Sequence, residues 1–125
     1  MANVLVVEDD ADIRSLVALR LRSAGHRVIT AGDATEALSM VAERGAPDVA
    51  VLDVGLPGTD GFGVLEQLRA TPGAAALPAV FLSARVQDAD IERGRAMGAY
   101  YLTKPFVASA LINTVARCVP QADSW

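Results

Sequence analysis

At 125 residues the chain has the size of one ordinary domain, long enough to bury a core without disulfide or metal staples. Its 52% apolar and 21% charged residues exclude a disordered polymer, and a net charge of −4 with a pI near 4.8 argues against a duplex-binding surface, which needs a basic stripe. No run of about 18 apolar residues is present and the N-terminus lacks a secretory leader's basic start, so no membrane association and a cytoplasmic location are expected.

In chain order, Asn3-Val4-Leu5-Val6-Val7 is a first strand that runs abruptly into Glu8-Asp9-Asp10. Ile13, Leu16, Val17, Leu21 and Ala24 then share one helical face, with Arg14, Arg20 and Arg22 largely off it and Gly25 placed to end the helix. Val28-Ile29-Thr30-Ala31 is a short strand, and its mixed polarity suggests an edge. Asp33-Ala34-Thr35-Glu36 has the form of a capping box before the stripe Ala34, Ala37, Leu38, Val41, which Gly45 and Pro47 terminate. A third strand, Val49-Ala50-Val51-Leu52, stops at Asp53; a third helix carrying Phe62, Leu65 and Leu68 stops before Thr71-Pro72-Gly73. Ala79 to Ser83 is a fourth strand. The helix after it, about Asp88 to Met97, has the weakest pattern, because Ile91 is its main anchor and Gly94 lies inside it. A fifth strand, Ala99 to Thr103, leads through Lys104-Pro105 to a helix with Val107, Ala110, Leu111, Thr114, Val115 and Cys118 on one face. Lone Cys118 has no cysteine or histidine neighbour and is expected to be a small buried apolar residue, and His26 a surface residue. Five strict βα alternations predict one α/β domain, a doubly wound parallel sheet with helices on both faces.

In such a sheet Glu8, Asp9, Asp53, Ser83 and Lys104 all lie at strand carboxyl ends, where open α/β sheets bind ligands. Two carboxylates roughly 4 Å apart repel by about 4 kcal/mol at an effective dielectric of 20, which a hard cation relieves. Carboxylates and phosphate oxygens suit Mg²⁺, and Mn²⁺ accepts the same donors. Asp53 stands apart, before the loop Gly55-Leu56-Pro57-Gly58, and an isolated carboxylate beside a cation can attack phosphorus to form an aspartyl phosphate. Lys104 could then hold one phosphoryl oxygen and Ser83 donate to another, with small Ala84 leaving room.

Four stretches, in order and at matching spacing, carry a family likeness: Val4 to Asp10, Pro47 to Gly61 through Asp53, Phe81-Leu82-Ser83-Ala84, and Gly98 to Phe106. Over nearly its whole length the chain resembles the receiver domain of bacterial two-component response regulators. The resemblance implies the flavodoxin-like strand order 2-1-3-4-5. It implies that Asp53 takes a phosphoryl group from a sensor histidine kinase or histidine phosphotransfer protein, a phosphorelay role and not that of a conventional enzyme. It assigns Asp9, Asp53 and the Gly55 carbonyl to Mg²⁺, with Glu8 completing the acidic pair, often through water. Ser83 and Tyr101 correspond to the switch pair and Lys104 to the phosphoryl-sensing lysine, before a Pro105 whose peptide bond is typically cis. Asp10, Ile13, Arg14, Val17, Pro105 and Phe106 match the kinase-docking surface, and the fourth helix, fifth strand and fifth helix the face offered to downstream protein partners. Glu8 replaces the commoner Asp, Gly55 gives no side chain over the site, and Arg85 flanks it; the last two positions tune phosphoryl lifetime in the family.

Against catalysis-linked roles stand plainer ones. Asp10 is equally well a helix cap, and Asp12 is better read as one. The glycines at 55, 58, 61 and 63 do not form a nucleotide-binding fingerprint, so a flavin- or nucleotide-binding domain is disfavoured. A pseudo-receiver that binds partners without phosphorylation is the alternative function. We expect residues 1–119 to form the receiver and 120–125 a short tail, as a stand-alone regulator or a receiver excised from a longer protein, monomeric or dimerising on phosphorylation, without direct nucleic-acid contact.

Overall fold

The computed structural model describes residues 2–56, 58–84 and 87–119. Ten elements alternate along them: β1 Asn3–Val7, α1 Ala11–Ser23, β2 Arg27–Ala31, α2 Ala34–Arg44, β3 Val49–Asp53, α3 Gly61–Arg69, β4 Ala79–Ser83, α4 Asp88–Ala96, β5 Tyr100–Thr103 and α5 Ala108–Cys118. All strand pairs are parallel, in the order β2-β1-β3-β4-β5. The expected fold class is therefore correct, with β2 starting one residue earlier, at Arg27, and β5 one residue later than its apolar pattern suggested. No helix among the described residues is long and apolar enough to cross a membrane.

Strand alternation divides the core into two layers. Leu5, Val7, Leu52 and Phe81 face α2, α3 and α4 with Ala37, Val41, Phe62, Leu65 and Leu68. Val4, Val6, Val51, Val80 and Leu82 face α1 and α5, against Val17, Leu21, Leu111, Val115 and Cys118. Burial raises the Cys118 thiol pKa to about 11, which suits an inert apolar role. His26, expected at the surface, is half-buried there: its Nδ1 accepts from the Ala2 amide at 3.2 Å, and burial lowers its pKa.

Several ends follow local rules. The Asp10 carboxylate accepts from the Asp12 and Ile13 amides and caps α1, whose C-terminus is followed by Gly25 at φ 96°, where a side chain would strain the turn. Asp33 accepts from the Glu36 amide as the capping box requires, but Glu36 reaches one residue further back, to the Gly32 amide at 2.6 Å. Asp60 caps α3 through the Gly63 amide. The stripe on α1 needs correction. Leu16 is 45% exposed and Ala24 is an exposed cap, whereas Ala18 is buried, because α1 turns Val17, Ala18 and Leu21 toward the sheet.

Helix α4 is held by neighbours more than by its own apolar face. Gly94 is buried where an added Cβ would stand 3.3 Å from the Phe81 ring and 3.4 Å from that of Tyr101, so its lack of a side chain allows the helix to approach the sheet. The Arg69 guanidinium donates to the Leu77 carbonyl (3.1 and 2.8 Å) and to the Met97 carbonyl (2.7 Å), joining α3 to the residues just beyond α4.

The start of α3 is equally constrained. Gly61 donates to the Val54 carbonyl at 3.0 Å, and a Cβ there would collide with the backbone carbonyl oxygen of Asp53. Alanine improves helix propensity by about 1 kcal/mol, but relief here requires moving backbone on both sides. Gly61→Ala is expected to lose about 2–3 kcal/mol of stability, measured by denaturant unfolding.

Candidate functional site

The parallel sheet brings the carboxyl ends of β1, β3, β4 and β5 to one edge. Glu8 follows β1, and its amide continues the ladder to the Ala31 carbonyl at 3.0 Å. It is 1% exposed, while the next residue, Asp9, is exposed. Arg14, one of the expected docking residues, is half-buried and donates to the Glu8 carbonyl at 2.9 Å, which ties α1 to this corner. Asp53 ends β3, 7% exposed, with one carboxylate oxygen accepting from the Gly55 amide at 3.3 Å. Ser83 ends β4 and is also buried; its carbonyl accepts from the Lys104 amide at 2.7 Å, and the Lys104–Pro105 peptide is cis.

Lys104 closes the group. Its ammonium donates to both Glu8 carboxylate oxygens, at 3.0 and 3.2 Å, and to Asp53 Oδ1 at 3.3 Å. Burial raises the Glu8 pKa to about 7, helped by the nearby Asp53 charge and opposed by the Lys104 hydrogen bond. For Lys104 burial acts downward, but the Glu8 hydrogen bond and the two carboxylate charges outweigh it, and its pKa is raised. Lys104 therefore stays cationic near neutrality.

Carboxylate oxygens of Glu8, Asp9 and Asp53 lie within 4.8 Å of one another and could hold a metal. Six oxygens about 2.0–2.1 Å from Mg²⁺ stand at most roughly 4.2 Å apart, so this cluster is near the required size and slightly open. Beside it is a cavity of about 460 Å³ lined by Asp53, Val54, Gly55, Ser83, Ala84, Asp90 and Lys104. A Cβ on Gly55 would meet nothing within 4 Å, and Ala84 is exposed, so neither of these two described lining residues closes the cavity.

Of the residues singled out from sequence, Glu8, Asp9, Asp53, Gly55, Ser83 and Lys104 meet at this edge; Arg85 lies outside the described residues. Tyr101 sits further along the sheet, half-buried, its ring centroid 6.5 Å from Phe81, which in turn packs 4.6 Å from Phe62. Arg93 of α4 covers Phe62 at 4.6 Å and reaches Asp60 at 3.3 Å and Glu66 at 3.8 Å. Of the expected docking residues, Asp10 is exposed but its carboxylate caps α1, Ile13 and Phe106 are half-buried and Pro105 is exposed. Val17 has no exposed surface and cannot dock a partner, because it packs under α1; Leu16 and Leu19 (58% exposed) provide that helix's apolar surface instead. Sequence reasoning missed Asp90, whose only signal was an acidic residue in a first helical turn, and Gly61, whose role exists only through tertiary contact.

Comparison with known proteins agrees with this architecture. The chain is 41% identical over 121 residues to the transcriptional regulatory protein AfsQ1 of Streptomyces coelicolor, covering 94% of this chain and 52% of AfsQ1. It is 38% identical over 113 residues to the DNA-binding response regulator MtrA of Mycobacterium tuberculosis, covering 90% of this chain and 48% of MtrA. The chain thus spans about half the length of these regulators. The solved structure of the chemotaxis protein CheY4 of Vibrio cholerae superposes with a TM-score of 0.88 at 33% identity, over 95% of this chain and 99% of CheY4. The family model of the response regulator receiver domain matches residues 4–116, and the chain belongs to that family, the receivers of two-component signalling.

Proposed function

We propose that the protein is a phospho-accepting receiver in which Asp53 takes a phosphoryl group from a phosphohistidine of a sensor kinase or phosphotransfer protein. The observation that carries this reading is the Lys104 ammonium held between Glu8 and Asp53 beside an open cavity. The other Asp53 carboxylate oxygen attacks phosphorus, the phosphorus–nitrogen bond breaks, and its electron pair leaves with the donor imidazole. Asp9, Asp53 and the Gly55 carbonyl would hold Mg²⁺, with Glu8 completing the acidic set; Mn²⁺ would serve as well. The cation supplies charge neutralisation around the transferred group.

The new phosphoryl group carries about −1.5 to −2 charge. It competes with Glu8 for the Lys104 ammonium and can accept from the Ser83 hydroxyl at the end of β4. Tyr101, which packs on β4 through Phe81, follows, and the α4-β5-α5 face changes. Tyr100 (41% exposed) and Val107 (67%) give that face an apolar surface for a downstream protein partner. A complete change from 1:99 to 99:1 requires about 5.5 kcal/mol of differential stabilisation. The exposed part of α1 with Pro105 and Phe106 forms the donor-docking surface. Residues 1–119 act as the receiver, in the cytoplasm, with phosphoryl lifetime tuned at Gly55 and Arg85.

Three outcomes are expected. Asp53→Asn keeps its fold but gains no mass on incubation with Mg²⁺ and a small-molecule phosphodonor, whereas the wild type gains one phosphoryl group; labelling of the mutant overturns the assignment. Lys104→Ala still labels but no longer changes partner affinity, as a pull-down of labelled and unlabelled protein reports. The third concerns pH. Because the folded-state pKa of Glu8 is raised from 4.5 to about 7, its contribution to stability is present below 4.5 and lost as pH rises through 7. The thermal midpoint of metal-free protein should carry this falling component across that window, and Glu8→Gln should remove it. Mg²⁺ affinity should rise over the same window as the proton leaves.

A further inference from the structure

Every described polar group lining the cavity has an evident use except one. Asp53 is the acceptor; Lys104 is a donor only; Ser83 offers a hydroxyl to a phosphoryl oxygen; Val54, Gly55 and Ala84 bring no polar side chain. The remaining lining residue is Asp90, half-buried in the first turn of α4, on a different element from every other residue of the lining. Its carboxylate makes no hydrogen bond or ion pair among the described residues. A role in balancing the α4 dipole is duplicated by exposed Asp88 in the same turn.

We infer that Asp90 holds the water that hydrolyses the aspartyl phosphate, and so limits how long the activated state lasts; this rests on the phosphoacceptor reading of Asp53. Among the described lining residues neither Gly55 nor Ala84 covers the mouth of the cavity, which leaves a route for water. A water attacking phosphorus must approach from the side away from the Asp53 oxygen, and a carboxylate that only accepts hydrogen bonds is the group suited to orient it. The water oxygen bonds to phosphorus as the bond from phosphorus to Asp53 breaks. The electron pair returns to the Asp53 carboxylate, inorganic phosphate departs, and the water proton passes to Asp90 and then to solvent. Glu8 cannot serve, being buried and held by Lys104, and Asp9 does not line the cavity.

The experiment loads wild type, Asp90→Ala and Asp90→Asn with acetyl phosphate and Mg²⁺, removes the donor, and follows loss of the phosphoryl group by intact mass. Asp90→Ala should retain its label about tenfold longer than wild type, and Asp90→Asn, which still accepts a hydrogen bond but is no base, should fall between. Equal rates of loss in all three overturn the inference while leaving Asp53 as acceptor. So does faster loading of both variants with unchanged loss, which would make Asp90 a charge that merely repels the donor. A wild type that takes no label overturns the phosphoacceptor reading, and the role of Asp90 falls with it.

Discussion

The structure turns on one ammonium group shared by two carboxylates. Lys104 comes from the end of β5, Glu8 from the end of β1 and Asp53 from the end of β3, 96 and 51 residues away in sequence. Only a parallel sheet, in which every strand delivers its carboxyl end to the same edge, assembles these three without long loops. The arrangement is also costly. Buried charges lose hydration, and removing one member of such a set leaves an uncompensated charge at about 3–5 kcal/mol. The apolar strands behind the site therefore do more than fill a core: they hold a charged cluster that water would otherwise disperse. The raised Glu8 pKa expresses that tension directly.

A second chain of contacts leads away from the cluster. Ser83 shares β4 with Phe81, whose ring lies between Phe62 and Tyr101, and Arg93 covers the far end of the row. The ion pairs of Arg93 are half exposed, worth roughly 0–1 kcal/mol each, so they guide α4 without locking it. Gly94 matters more, since its missing side chain sets how closely α4 lies against both rings.

Much of this was legible in the amino-acid sequence because the apolar runs are short and stop in charge. Val4 to Val7 ending in Glu8, and Val49 to Leu52 ending in Asp53, declare both strands and the edge where they finish. The order of the strands was legible through the family resemblance and not through periodicity. What escaped were effects of tertiary approach. Leu16 fits a helical stripe yet faces solvent, since only the sheet decides which flank of α1 it covers. Arg14 lies largely off the apolar stripe of α1, and nothing in that pattern shows that a backbone carbonyl captures it. Gly61 and Asp90 look like ordinary loop and helix-start residues until the Asp53 backbone and the cavity are set beside them. The Glu36 side chain shows the same limit on a small scale, reaching past its expected partner to Gly32.

The three hydrogen bonds of Arg69 have a mechanical consequence. They fasten the carbonyl of Met97, just beyond the C-terminal end of α4, to α3 and to the approach to β4. Among the described residues the opposite end has no such fastening, as Gln87 makes no side-chain cap and Asp88 and Asp90 of the first turn face solvent and cavity. The helix is built like a cantilever, anchored at its far end and compliant at the tip. Any force generated over Asp53 meets that tip first, and the displacement dies away toward the anchored end, so the helix pivots instead of shifting as a body.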